Sequence, residues 1–177
     1  LNRLKPTKRK TPSRKPPVLW FNSYCLLDTS SGASISARQI LKQLATSGYE
    51  VKAVGATIFD DPKGAVHLEG TLGDAISRNL ETCSISDGDL SHYLLVTKSP
   101  TRENITFSEL NNLYSLYVSA LNTFKPDLVF FYGGTSFDLH IPSEARVRAI
   151  PSAAYLVNSN YLDSRWCRDV DLIVTDT

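Results

Sequence analysis

Two short turns hold the residues best suited to chemistry in this sequence of 177 residues. The first turn is Thr29-Ser30-Ser31-Gly32-Ala33, and the second turn is Tyr132-Gly133-Gly134. Each follows an apolar run, so each is expected where a parallel strand ends and ligands commonly bind. A glycine there permits either close approach of the backbone to a ligand or only a tight exit from the strand. The position of the second turn favours the ligand.

Several common catalytic motifs are missing from the sequence. The first turn has one glycine, whereas dinucleotide binding requires G-x-G-x-x-G, and there is no phosphate-binding G-x-x-x-x-G-K-[ST]. There is also no G-x-S-x-G nucleophile elbow. The pair Asp60-Asp61 precedes Pro62 and is typical of a turn rather than of paired catalytic carboxylates. The sequence therefore predicts no complete catalytic set.

The histidines and cysteines do not form a recognisable site. His92 opens an apolar run and is predicted to be structural, while His140 lies near the second turn and is predicted to be a surface residue. The three cysteines are scattered and include no C-x-x-C pair, which argues against a zinc site or a disulfide framework. They are Cys25, Cys83 and Cys167. This usage predicts a reducing, cytoplasmic setting and no metal.

The charge is distributed unevenly along the chain. Residues 1–17 carry seven basic side chains and no acidic one, which leaves 12 basic and 18 acidic residues elsewhere. Such a Pro-, Lys- and Arg-rich segment buries too little apolar surface to fold, so we expect a disordered arm. It is either a solvated leader or a weak contact for an anionic membrane surface, and no specific nucleic-acid binding is expected. No apolar run is long enough to span a membrane.

The apolar periodicity predicts strands alternating with helices. An amphipathic helix is expected between a cap at Ser31 or Ser34 and Gly48, and a longer one follows the capping-box match Thr106–Glu109 and ends before Pro126. The predicted strands are 18–24, 50–59, 92–98, 127–132, 152–157 and 171–175.

The remaining segments have weaker patterns. Residues 65–69 suggest a short strand, 73–80 a short helix and 84–91 a loop. Residues 135–142 are predicted to be irregular because Pro142 would break a helix. A short helix is expected at 143–149, and a turn or short helix at 161–168.

These elements predict a doubly wound parallel α/β sheet of the Rossmann-like type. Two βαβαβ halves would place strands 18–24 and 127–132 side by side. A crevice would then lie between loops 25–33 and 133–138, rimmed by residues 158–161.

Several stretches together resemble the N-terminal domain of retaining GT-B glycosyltransferases, the group often called family 4. Asp28 to Ala33 is similar to its D-x-x-x-G-A-like loop, and Tyr132-Gly133-Gly134 to the Y-G-G of a subset. The other matching runs are Gly48-Tyr49-Glu50-Val51, Phe124-Lys125-Pro126-Asp127-Leu128-Val129, Ala145-Arg146-Val147-Arg148-Ala149-Ile150-Pro151 and Val170-Asp171-Leu172-Ile173-Val174.

The resemblance implies two Rossmann-like domains that face each other across a cleft. Residues 18–177 would form the acceptor-side half, which binds an acceptor glycan or another hydroxyl compound. The donor-binding half, with the nucleotide-sugar and paired glutamates, would be absent from this chain. The resemblance therefore implies that this chain binds no cofactor and transfers no sugar by itself.

The resemblance also implies the residues of the acceptor site. They are Gly32, Ala33, Gly133, Gly134 and Asn158, and the adjoining turn residues Ser31 and Tyr132 are predicted to bind substrate with them. One departure concerns Val157, which stands where the family often has a histidine. A valine neither donates a hydrogen bond nor carries a proton. The alternative is therefore a non-catalytic binding or interaction domain on the same fold.

Overall fold

The strands and helices of this protein alternate along most of the chain. The computed structural model describes residues 14–99, 101–135, 137–157 and 163–175. Its strands are β1 (Pro17–Phe21), β2 (Glu50–Ala56), β3 (Thr82–Asp87), β4 (Leu90–Leu95), β5 (Leu128–Tyr132), β6 (Ser152–Leu156) and β7 (Leu172–Thr175). Its α-helices are α1 (Gly32–Thr46), α2 (Glu69–Ser77), α3 (Phe107–Phe124) and α4 (His140–Val147).

One mixed sheet in the order β3-β4-β2-β1-β5-β6-β7 contains these strands. All neighbouring pairs are parallel except β3 and β4, which form an antiparallel hairpin at one edge. β1 pairs with β2 on one side and with β5 on the other, so the strand order reverses at β1. The predicted doubly wound α/β fold is confirmed, as is the adjacency of the first strand and strand 127–132.

The sheet has a buried core on each face. β1 alternates between the two cores: Trp20 packs on the α1 side, and Phe21 packs on the side of α3 and α4. Every residue of β1 is buried, as expected for a central strand covered on both faces. Tyr117 of α3 lies 4.9 Å from Phe21 between ring centroids. The strand that leads to the first turn is therefore held rigidly.

The helix boundaries follow the predicted capping residues. Ser31 caps α1 by accepting a hydrogen bond from the Ser34 backbone N–H at 3.4 Å, and Gly48 follows the helix at φ +97°. Thr106 and Glu109 form the predicted capping box of α3, and Lys125 ends that helix in the left-handed conformation. The predicted basic arm falls mostly outside the described residues, although Pro17 already belongs to β1.

Two predictions for the segment between β2 and β4 were wrong. Residues 65–69 do not form a strand, because Pro62–Leu68 is a 3₁₀ helix that begins at a proline and is capped by Asp61. Residues 84–91 are not a loop, because β3 extends to Asp87, β4 begins at Leu90, and Gly88, at φ +63°, turns the hairpin between them. Only alternate residues of β3 are half-buried, so this edge strand needs few apolar side chains.

The position of Pro142 also differs from the prediction. α4 begins at His140, two residues earlier, so Pro142 lies in the first helical turn. Backbone N–H groups in that turn have no helical acceptor, and a proline there removes no hydrogen bond. The residues at 140–142 are therefore helical rather than irregular.

Glu109 joins the start of α3 to the segment that follows β4. Its carboxylate accepts hydrogen bonds from the Lys98 and Ser99 backbone N–H groups at 2.8 and 3.1 Å and from the Thr106 N–H at 2.9 Å. Burial acts to raise the pKa of Glu109, but the hydrogen bonds from Thr106 and Ser99 outweigh it and lower the pKa from 4.5 to about 2. The ionised carboxylate therefore stabilises the folded state.

Replacing Glu109 with glutamine is expected to lower the free energy of unfolding by about 1–2 kcal/mol at neutral pH, because the amide accepts fewer of these bonds. Since the folded pKa lies below the unfolded one, the contribution is complete above about pH 4.5 and declines as the pH falls towards 2. Urea unfolding at neutral pH and near pH 2 measures the loss of stability at each pH. Glu103→Gln, at an exposed position, is the control. An unchanged difference between E109Q and the wild type at low pH would contradict this role.

Candidate functional site

The first and second turns lie side by side at the carboxyl edge of the sheet. Phe21, the last residue of β1, is opposite Phe131 of β5 in the parallel register, so both strands end at the same edge of the sheet. Phe137, just beyond the second turn, packs against Phe21 with ring centroids 5.4 Å apart. The predicted crevice therefore corresponds to the point where the strand order reverses.

Asp28 fixes the shape of the first turn from within the protein. Its carboxylate is almost fully buried and accepts hydrogen bonds from the Ser30 backbone N–H at 2.8 Å and the Ser30 hydroxyl at 2.5 Å. The other oxygen accepts from the Asp60 backbone N–H at 2.7 Å. In the sequence, Asp28 stood out only as part of the motif that resembles the family, although its spacing from Ser30 is typical of an Asx turn. Asp28 positions the turn and is not exposed to the crevice.

The segment after β2 supports the first turn from outside. The Gly64 carbonyl oxygen accepts hydrogen bonds from the Thr29 N–H and hydroxyl at 3.4 and 3.3 Å. A Cβ atom at Gly64 would lie 1.9 Å from an Asp28 carboxylate oxygen. Asp61 accepts a bond from the Lys63 N–H at 2.8 Å, which agrees with turn chemistry for the Asp60-Asp61 pair. Glycine at 64 is therefore required for packing.

Gly32 is the open position of the first turn. It is exposed, and no atom lies within 4 Å of a Cβ built on it. No described residue accepts a hydrogen bond from the backbone N–H of Gly32 or Ala33. These groups lie at the positive end of α1, where an oxygen acceptor is favoured. Ser31 is largely buried as the helix cap, and Ala33 is half-buried against the α1-side core.

Packing accounts for the glycine at 133. A Cβ atom there would lie 2.5 Å from the Leu156 side chain and 2.7 Å from the Trp166 ring. Its backbone N–H donates to the Tyr155 carbonyl oxygen at 3.0 Å. The tight exit from β5 therefore explains Gly133 without a ligand.

The amide groups after Gly133 are occupied by a side chain of the same loop. The Gly134 N–H donates to one oxygen of Asp138 at 2.9 Å, and the Thr135 N–H donates to the other at 3.0 Å. Gly134 has φ +87°, a conformation that favours glycine. Burial raises the pKa of the Asp138 carboxyl, and the hydrogen bonds from Thr135 and Gly134 oppose this rise. An added ligand has to displace this carboxylate to reach these amides.

Tyr132 and Val157 contribute apolar side chains at this edge of the sheet. Tyr132 is 9% exposed, and its ring centroid lies 6.3 Å from that of Tyr155. Val157 is half-buried and packs, like Ala33, against the α1-side core. Asn158 and the predicted rim at 158–161 lie outside the described residues. The structure therefore brings Gly32, Ala33, Tyr132 and Gly134 to the same edge of the sheet.

His92 and His140 have the environments that the sequence predicted, one buried and one at the surface. His92 is fully buried, no described residue hydrogen-bonds to either ring nitrogen, and burial lowers its pKa to about 4. His140 is exposed at the start of α4, 5.9 Å from the Tyr114 ring. Within the described ranges, no group of His, Cys, Asp and Glu could hold a metal ion. In the same part of the chain, no helix is long and apolar enough to cross a membrane.

Comparison with known proteins assigns no family. No family model matches the chain, and no curated protein matches it. Solved structures do match, and GT-B glycosyltransferases are among them. One is LpCGTa in complex with UDP, with 12% identity, a TM-score of 0.43 and coverage of 80% of this chain and 30% of that one. Another is Glycyrrhiza uralensis UGT73P12 complexed with glycyrrhetinic acid 3-O-monoglucuronide, with 10% identity, a TM-score of 0.45 and coverage of 82% and 28%.

Two further matches concern bacterial and archaeal proteins. The α,α-trehalose 6-phosphate synthase of Burkholderia multivorans has 9% identity and a TM-score of 0.42 over 89% of this chain and 36% of that one. The C-terminal domain of the PF1911 hydrogenase from Pyrococcus furiosus has 16% identity and a TM-score of 0.42 over 82% and 95%. The chain thus spans about a third or less of the first two structures. At these values none of the similarities assigns a function.

Proposed function

We propose that this chain is the acceptor-binding half of a retaining glycosyltransferase that transfers a sugar from a nucleotide-sugar to a hydroxyl group. The observation that carries the proposal is the open start of α1. Gly32 is exposed beside two backbone N–H groups that no described residue uses, at the point where the strand order reverses. The ordered motifs of the sequence support it, because the loop similar to D-x-x-x-G-A and the turn similar to Y-G-G both follow strands that end at this edge.

The contribution of this half is orientation rather than proton transfer. The N–H groups of Gly32 and Ala33 would donate to an acceptor hydroxyl oxygen, and the absence of a side chain at Gly32 leaves room for it. Asp138 already binds its own loop, and Val157 has no proton to exchange. A second Rossmann-like domain would hold the nucleotide-sugar, and closure of the two halves would exclude water from the reaction.

Replacing Gly32 with phenylalanine is expected to reduce transfer by at least about tenfold in a polypeptide that carries both halves, because the ring would fill the space for the acceptor. Stability should change by less than about 0.5 kcal/mol, since the position is open and exposed. Initial transfer rates and urea unfolding measure the two effects. Gly70→Phe, at an exposed and equally open glycine of α2, is the control. Equal loss of activity and stability would identify Gly32 as purely structural.

The proposal also predicts that the transcript encoding this chain continues into a second Rossmann-like half with paired glutamates. Sequencing the transcript tests this directly, and a stop codon with no such half would overturn the proposal.

One specific observation favours the alternative, a non-catalytic binding domain on the same fold. The crevice has valine at the position of the family histidine, and Asp138 covers the amides of the second turn. Titrating the protein that carries both halves with common nucleotide-sugars separates the two functions. Saturable binding of one donor supports the transferase, whereas no binding to any donor supports the binding domain.

A further inference from the structure

A cavity of about 240 Å³ opens at the carboxyl ends of β2 and β4, beside the first turn. Its walls come from three parts of the chain: the segment after β2, the helical segment that ends in α2, and the segment after β4. Phe59, Leu72 and Ile76 supply apolar surface, and Lys98 contributes the charge. An apolar cavity with a few polar groups at this edge of a parallel sheet is a common form of ligand site.

The apolar wall is incompletely covered by the protein itself. Leu72 and Ala75 bury their side chains beneath α2, but Ile76 lines the cavity while 63% exposed. The polar part of the lining is already paired, because the hydroxyl groups of Thr57 and Thr97 are 2.9 Å apart in a hydrogen bond. Covering Ile76 with an apolar group would therefore be favourable and would leave neither hydroxyl without a partner.

The charge of Lys98 is available at the rim of the cavity. The side chain is exposed, and no described carboxylate lies within ion-pair distance of its ammonium group. A comparable cavity between the sheet and α3 also contains a lysine, Lys52. That lysine is paired with Glu50 at 3.4 Å and lies over the Phe124 ring at 4.0 Å. Of these two lysines, only Lys98 lacks a described partner for its charge.

We propose that this cavity binds a small amphipathic carboxylate, with the aliphatic part against Phe59, Leu72 and Ile76 and the head group at Lys98. The volume fits a fragment smaller than the drug-sized ligands of typical pockets, which occupy about 300–1,000 Å³. Phe59 is followed in the chain by Asp60, whose backbone N–H donates a hydrogen bond to the Asp28 carboxylate. The bound molecule would therefore lie next to the first turn. The inference does not depend on the proposed transferase function, because it concerns binding by this chain without a donor.

Titration of the ¹⁵N-labelled chain with sodium octanoate tests the proposal. Saturable amide shifts are expected in the three walls of the cavity, near residues 57–62, 72–76 and 96–98. Octanol, which lacks the charge, should bind about fivefold more weakly, and acetate, which lacks the aliphatic chain, should not bind measurably. Absence of saturable octanoate binding at millimolar concentration, or shifts confined to the cavity beside α3, would overturn the proposal.

Two pairs of exposed-site variants locate the binding. Lys98→Met should lower the affinity for octanoate to that for octanol, and Ile76→Glu should lower it at least about tenfold, because a charged side chain would replace the apolar surface that contacts the aliphatic chain. Lys63→Met and Val66→Glu, at exposed positions outside the cavity lining, should bind as the wild type does. Circular dichroism confirms that each variant is folded. Wild-type affinity in Lys98→Met and Ile76→Glu would refute the site.

Discussion

Replacing Gly64 with alanine is expected to lower the free energy of unfolding by about 3 kcal/mol. The new Cβ atom would lie 1.9 Å from an Asp28 carboxylate oxygen and 2.6 Å from the Ser30 hydroxyl oxygen. Asp28 cannot move aside freely, because it is buried and both of its oxygens accept hydrogen bonds. Relief of the clash therefore requires the first turn to separate from the segment that supports it.

Urea unfolding followed by tryptophan fluorescence measures this loss, since Trp20 and Trp166 are both buried. Gly73→Ala provides the matched control, because the same methyl group enters open space within α2. There alanine should stabilise the protein by about 0.5–1 kcal/mol through its higher helix propensity. If Gly64→Ala were as stable as the wild type, the docking of the first turn on this segment would be refuted.

Replacing Asp87 with asparagine is expected to cost about 3 kcal/mol of stability. The Asp87 carboxylate, whose side chain is 14% exposed, lies 2.5 Å from the Arg38 guanidinium and 2.9 Å from the Lys42 ammonium. The Arg38 hydrogen bond holds the pKa of Asp87 well below its usual range, although burial acts in the opposite direction. Without the carboxylate, two cations on α1 would face a neutral side chain, and the β3–β4 hairpin would lose its polar attachment to that helix.

The ion pairs of Asp87 differ from ordinary surface charges in two ways: in how their contribution to stability depends on pH, and in how much stability is lost when they are broken. Because the folded pKa of Asp87 is depressed, its contribution is complete above its ordinary pKa of 3.8 and declines as the pH falls below that value. Asp74→Asn breaks an exposed pair with Arg78 at 3.3 Å and should cost less than about 0.5 kcal/mol. Chemical unfolding of both variants near neutral pH makes the comparison, and equal costs would contradict a special role for Asp87.

The central architecture was predictable from the sequence because its determinants are local. β1 and β5 are apolar runs flanked by turn residues, and right-handed crossovers leave few ways to arrange them. The helix caps at Ser31 and Thr106 act within three residues, so their pattern is visible in the sequence. β3 was missed because an edge strand with one weakly apolar face has the composition of a loop.

The candidate site was less predictable because its determinants are distant in sequence. Whether Gly133 faces a ligand or a side chain depends on Leu156 and Trp166, which belong to later elements. The need for glycine at 64 arises only when Asp28 folds against it. Such contacts follow from packing between elements, and no local pattern of residue types encodes them.

The hydrogen bonds between Asp138 and the second turn have a consequence for selectivity. An external anion that approaches the Gly134 and Thr135 amides competes with a carboxylate tethered four residues away, whose effective concentration is on the order of millimolar or higher. A neutral hydroxyl group would not need to displace the carboxylate, because it could donate its proton to Asp138 while the amides stay occupied. We therefore expect free phosphate and carboxylate groups to bind poorly at this turn, because the Asp138 carboxylate already occupies its amides.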